Sequence, residues 1–152
     1  MIKVGEQVPD FKFQDVNGEE ITKAQFEGKR VLFTLHPLAF TSVCTDQMRA
    51  FERNFDAFKE AGIDEIIGVS VDAHPSKKVW GESISVKKMT LVSDFEPKAQ
   101  FAKDIDLFVE RMGTSGRGTF VMGKDGKVEY SKEHELTQLP DVDQILEEVK
   151  AL

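Results

Sequence analysis

The run Val31-Leu32-Phe33-Thr34-Leu35 is apolar and rich in β-branched and aromatic residues, which predicts a buried strand. After it, Met48, Phe51, Phe55 and Phe58 recur at steps of three and four, the stripe of a helix from about Ser42 to Ala61 that Gly62 ends. A second near-continuous apolar run, Glu65-Ile66-Ile67-Gly68-Val69-Ser70-Val71, has the pattern of a strand covered on both faces, as in a parallel sheet. Asp72 stands where it can cap a short helix from His74 to about Ser83, and Thr90-Leu91-Val92-Ser93 predicts a third strand. Pro97 suits the first turn of a helix running through Lys103. Asn17-Gly18 marks a hairpin near the N-terminus, and Lys124-Asp125-Gly126 marks another between Thr119–Met122 and Lys127–Tyr130. Val142, Ile145, Leu146 and Val149 make the closing segment, Asp141 to Leu152, an amphipathic helix.

This order mixes parallel crossovers with antiparallel edges. It predicts an α/β fold, a three-layer α/β/α sandwich with a central mixed sheet and an N-terminal hairpin. With 152 residues, no repeat and no Ser/Gly linker, one domain over residues 1–152 is expected. Hydrophobic residues make up 40% of the chain, enough for a core without disulfides. A net charge of −7 argues against a nucleic-acid backbone or an anionic membrane as partner. No apolar run reaches the ~20 residues of a membrane span. Met1–Glu6 lacks the apolar core of a secretory signal, so a cytoplasmic location is expected.

The chain has one cysteine, Cys44, in the turn between the first buried strand and the following helix. A lone cysteine is usually a small buried hydrophobe. In the first turn of a helix, however, unpaired N–H groups and the helix dipole favour a thiolate. Thr41, three residues earlier, can turn its hydroxyl toward the sulfur or toward an oxygen bonded to it. Pro37 stiffens the entry to the turn and restricts His36.

Pro37, Thr41 and Cys44 together spell Pro-x-x-x-Thr-x-x-Cys, and here the chain resembles the peroxiredoxins, thiol peroxidases on a thioredoxin-like fold. The resemblance extends to Val4–Phe11, to Ile66–Asp72, to Ser93-Asp94 and to Gly116–Val121. The stretch from Phe33 to Thr41 is most similar to the one-cysteine bacterial branch related to alkyl hydroperoxide reductase E. The resemblance implies that Cys44 attacks the peroxide, that Thr41 binds it and that Pro37 shields the pocket. It also implies that Arg117, just before a hairpin strand, holds the thiolate and polarises the peroxide. Val43, Phe40 and Gln47 are expected to line the substrate site, Val43 through its backbone N–H. Gln47 stands where many relatives carry Glu, which leaves its role open.

With no second cysteine, a sulfenic acid on Cys44 needs an external reductant: a low-molecular-weight thiol, a glutaredoxin or a thioredoxin. A homodimer formed near the Cys-bearing turn is implied, with no cofactor. His36, His74 and His134 are scattered, so no metal site is expected. Trp80 either packs near the site or belongs to the core. Complete ionisation of a free thiol raises its thiolate content only about thirtyfold at neutral pH, so most of the catalysis must come from aiming the peroxide and stabilising its leaving oxygen. A slowly oxidised redox sensor or chaperone-like protein is the competing reading of the same cysteine. A disulfide reductase is disfavoured because Cys-x-x-Cys is missing.

Overall fold

In the computed structural model, which describes residues 1–152, the two apolar runs lie side by side in the middle of a seven-stranded sheet. The strands are β1 (Lys12–Asp15), β2 (Glu20–Thr22), β3 (Val31–Leu35), β4 (Glu65–Ser70), β5 (Thr90–Ser93), β6 (Phe108–Val109), β7 (Thr114–Ser115), β8 (Arg117–Met122) and β9 (Val128–His134). The helices are α1 (Ser42–Arg53), α2 (Phe55–Glu60), α3 (His74–Ser83), α4 (Gln100–Asp104) and α5 (Val142–Lys150). Strand order is β2-β1-β5-β4-β3-β8-β9, with β3, β4 and β5 parallel and the remaining pairings antiparallel. The mixed sheet and the N-terminal hairpin are those the hydrophobic pattern predicts.

Alternate residues of the central strands face opposite cores. Leu32, Ile66, Leu91 and Val121 pack with α1, α3 and α5 on one side. Phe33, Ile67, Val92 and Phe120 pack with α4 and the N-terminal segment on the other. The second core is built on phenylalanine: Phe33 stacks on Phe120 at 4.7 Å and meets the edge of Phe11 at 5.5 Å. Phe33→Ala is expected to cost about 3–5 kcal/mol in urea unfolding, because the rigid strand cannot collapse into the space left. A loss below ~1 kcal/mol would mean that this cluster does not hold the sheet to α4.

Four local expectations are corrected. The helix predicted to run unbroken to Ala61 is interrupted at Asn54, whose Nδ2 donates to Ala50 O at 2.9 Å and competes with the helical ladder. Pro97 does not open α4. The helix begins at Gln100 after a left-handed Ala99, and the buried Asp94 carboxylate accepts from Phe101 N and Ala102 N at 3.1 and 3.0 Å. Asp72 does not cap α3 and is engaged elsewhere, as described below. Arg117 lies inside β8 rather than before it, because pairing with β3 and β9 extends the strand two residues toward the site. The short antiparallel pair β6–β7 was not anticipated; two-residue strands leave no periodicity to read.

Candidate active site

The turn between β3 and α1 is held from below. His36 N donates to Val69 O at 3.1 Å, continuing the parallel pairing with β4 by one residue. Ser115 Oγ donates to His36 O at 3.1 Å. The Asp72 carboxylate accepts from Ala39 N at 2.9 Å and from Ser70 Oγ at 2.6 Å, so it ties the turn to the end of β4. Phe40 adopts φ 64°, a left-handed conformation that an aromatic residue keeps only under tertiary constraint. Its exposed ring lies 6.5 Å from that of Trp80. Pro37 is buried under the turn.

Cys44 is the third residue of α1 and only 1% exposed. Thr41 is the residue preceding the helix, but its hydroxyl donates to Leu38 O at 2.7 Å and makes no cap bond. The hydroxyl proton is therefore not directed at the sulfur. No backbone carbonyl takes the N–H groups of Val43 and Cys44, which leaves two donors at the positive end of the helix.

Arg117 reaches this turn from β8. In the β3–β8 register Leu35 faces Gly118, which places residue 117 level with the start of the turn. Arg117 is 3% exposed, and four of its five N–H donors are engaged. Nη1 donates to Cys44 Sγ at 3.5 Å and to Gln47 Oε1 at 2.6 Å, while Nε and Nη2 donate to Leu136 O at 3.3 and 2.7 Å. Gln47 is itself fixed, since its Nε2 donates to Thr34 Oγ1 at 2.7 Å and to Leu35 O at 3.2 Å. With both amide protons used, only its carbonyl can face the arginine. Gln47 thus supports Arg117 as a neutral acceptor and leaves the arginine's charge to the sulfur.

The arrangement is a buried sulfur beside an unneutralised guanidinium and two free amide donors. It can stabilise a thiolate and a developing oxyanion. The AhpC/TSA family matches residues 4–131 of the chain. The chain belongs to that family, the peroxiredoxins. Among curated relatives, alkyl hydroperoxide reductase E of Mycobacterium bovis is 31% identical over 133 residues, 87% of this chain and 86% of that one. Thiol peroxidase of Staphylococcus saprophyticus is 31% identical over 147 residues, 96% of this chain and 87% of that one. The crystal structure of reduced Plasmodium vivax 2-Cys peroxiredoxin superposes with a TM-score of 0.86 at 29% identity, covering 97% of this chain and 80% of that one. With a single cysteine, this peroxiredoxin is of the one-cysteine type.

Three residues brace Arg117, Ala39 and His36, and no local sequence pattern predicts that they do so. Leu136 offers only a carbonyl, which carries no residue-type signal. Asp72 was read as a cap, the commonest use of Asp before a helix. Lys77 is fully buried, which a lysine almost never is. The available signal was its place three residues before Trp80, on the same face of α3.

Proposed function

We propose that this peroxiredoxin reduces hydrogen peroxide and small organic hydroperoxides through Cys44. The observation that carries this reading is the 3.5 Å contact between Arg117 Nη1 and Cys44 Sγ at the start of a helix with free N–H groups. Thr41 has given its proton to Leu38 O, so its Oγ1 presents lone pairs to the O–H of an incoming peroxide. The thiolate then attacks that oxygen in line. The S–O bond forms as the O–O bond breaks, and the sulfur loses two electrons. Arg117 and the N–H groups of Val43 and Cys44 receive the charge that collects on the leaving oxygen. Water or an alcohol departs and Cys44 is left as a sulfenic acid. Pro37 and Phe40 wall the turn.

An external thiol completes the cycle. With Cys44 1% exposed, a low-molecular-weight thiol reaches the sulfur more readily than glutaredoxin or thioredoxin. Leu38 and Phe40, both exposed in the turn, suit the homodimer that the family resemblance implies. No helix is long and apolar enough to cross a membrane, in keeping with a cytoplasmic peroxidase. Trp80 donates to Thr45 Oγ1 at 3.2 Å, one residue from the sulfur, so its fluorescence reports on Cys44. Stopped-flow mixing with peroxide is expected to give a fluorescence change several orders of magnitude faster than oxidation of free cysteine. A rate equal to that of free cysteine would leave a slow redox sensor instead.

A further inference from the structure

Lys77 is 0% exposed and forms no ion pair. Its Nζ lies 2.9 Å from His36 Nε2, 2.9 Å from Ser70 Oγ and 3.5 Å from Gly68 O, three acceptors for the three protons of an ammonium. Ser70 spends its own proton on Asp72, so its oxygen is free to accept. His36, acting as acceptor at Nε2, must carry its proton on Nδ1, which is buried without a partner. The cation also lies 5.6 Å over the Trp80 ring, whose N–H binds Thr45 beside Cys44. A buried cation without an anion in contact is costly, and an apolar side chain would fill the same space without that penalty. The expense points to a use for the charge.

The titratable and charged groups that face Lys77 are few. From α1 there is Cys44, from the end of β3 there is His36, and from the end of β4 there is Asp72, acting through Ser70. Residues Thr90–Ser93 of β5, packed against α3, contribute none, and Arg117 of β8 acts on His36. Burial brings Lys77 down to about 7, opposed by Asp72 and then by Cys44. Burial first, and then Lys77 and Arg117, hold His36 well below its ordinary value, so it stays a neutral acceptor. Of the two anions acting on Lys77, only the sulfur loses its charge during the reaction proposed above.

On the reading that Cys44 is a peroxidatic thiol, we propose that Lys77 is its positioning residue: a buried ammonium, oriented by His36 and Ser70, that favours the thiolate and gives up a proton when the sulfur is oxidised. The net step balances. Thiolate, ammonium and hydroperoxide become sulfenic acid, neutral amine and alcohol. Sulfur loses two electrons, the O–O bond takes them, and the leaving oxygen gains one proton as Lys77 loses one, the two exchanged through solvent. The coupling is reciprocal: a protonated Lys77 stabilises the thiolate as much as the thiolate stabilises the proton.

The linkage is measurable without turnover. Lysine-labelled NMR titration of the reduced protein and of Cys44→Ser is expected to give Lys77 a proton affinity about tenfold lower in the variant, where the anion is gone. An identical Lys77 titration in the two proteins overturns the proposal, even in an active peroxidase. In stopped-flow oxidation, the wild-type rate is expected to fall on the alkaline side as Lys77 deprotonates. Lys77→Met should lower the maximum about tenfold and abolish the alkaline fall. A purely structural lysine would lower the rate and leave the shape of the profile intact, which also overturns the proposal. A shifted NMR titration in a wild-type protein that consumes no peroxide would overturn the peroxidase reading and keep the charge linkage.

Discussion

Cys44→Ser is expected to abolish peroxide consumption while leaving the fold intact. The substitution replaces sulfur by oxygen at a site that is 1% exposed, so the packing volume falls slightly and no new charge is buried. Serine keeps a hydrogen-bonding group beside Arg117 Nη1. What disappears is the nucleophile. A hydroxyl is ionised far less than a thiol near neutral pH, and Arg117 with the start of α1 cannot make up so large a difference. Peroxide loss measured against buffer should therefore be nil, with an unchanged circular dichroism spectrum. Turnover above that baseline would place the chemistry on another group, and this chain has no other thiol to offer.

Arg117→Ala is expected to slow the reaction with peroxide at least ~100-fold. Two losses combine. The cation 3.5 Å from the sulfur is gone, which weakens both the thiolate and the charge developing on the leaving oxygen. Gln47 Oε1 and Leu136 O also lose their donor; a buried acceptor left unmade costs about 1–3 kcal/mol, so urea stability should fall with activity. Arg117→Lys separates the two effects. It keeps a charge but lacks the planar fork that reaches Sγ, Gln47 and Leu136 together, and is expected to recover only part of the rate. Near-normal turnover in Arg117→Ala would remove the arginine from the mechanism. Thr41→Val should come close to the same ~100-fold loss without the stability penalty, since Thr41 is exposed and binds only Leu38 O.

The parts of the site that were legible in the sequence are those a short stretch can specify. Pro37, Thr41 and Cys44 fall within one strand-to-helix turn, and the apolar runs on either side predict that turn by periodicity alone. Arg117 stands 73 residues from Cys44 and was identified only through the family resemblance. Its approach depends on the register in which Leu35 faces Gly118, a pairing that no local pattern encodes. Gln47 was legible as a position but not as a role, because the same amide can donate or accept. Its orientation follows from Thr34 and Leu35 consuming its protons.

The misreadings share one cause. Asp72 and Pro97 carry strong local preferences for helix starts, yet in both places a carboxylate with another task set the outcome: Asp72 serves Ala39, 33 residues away, and Asp94 holds the start of α4 at Phe101 and Ala102. Lys77 is the extreme case, because lysine is almost never fully buried and composition counts it as surface.

By itself, the sequence of this protein determined the order of the main strands and helices, the two-sided core and the turn that presents a single sulfur. Those follow from hydrophobic period and backbone preference, which act over a few residues. Tertiary structure alone decided which groups gather around the turn that holds that sulfur. Arg117, Lys77 and His36 come from three separate segments, and only sheet register and helix packing bring them to Gln47 and Cys44 of α1, where two buried cations meet neutral acceptors.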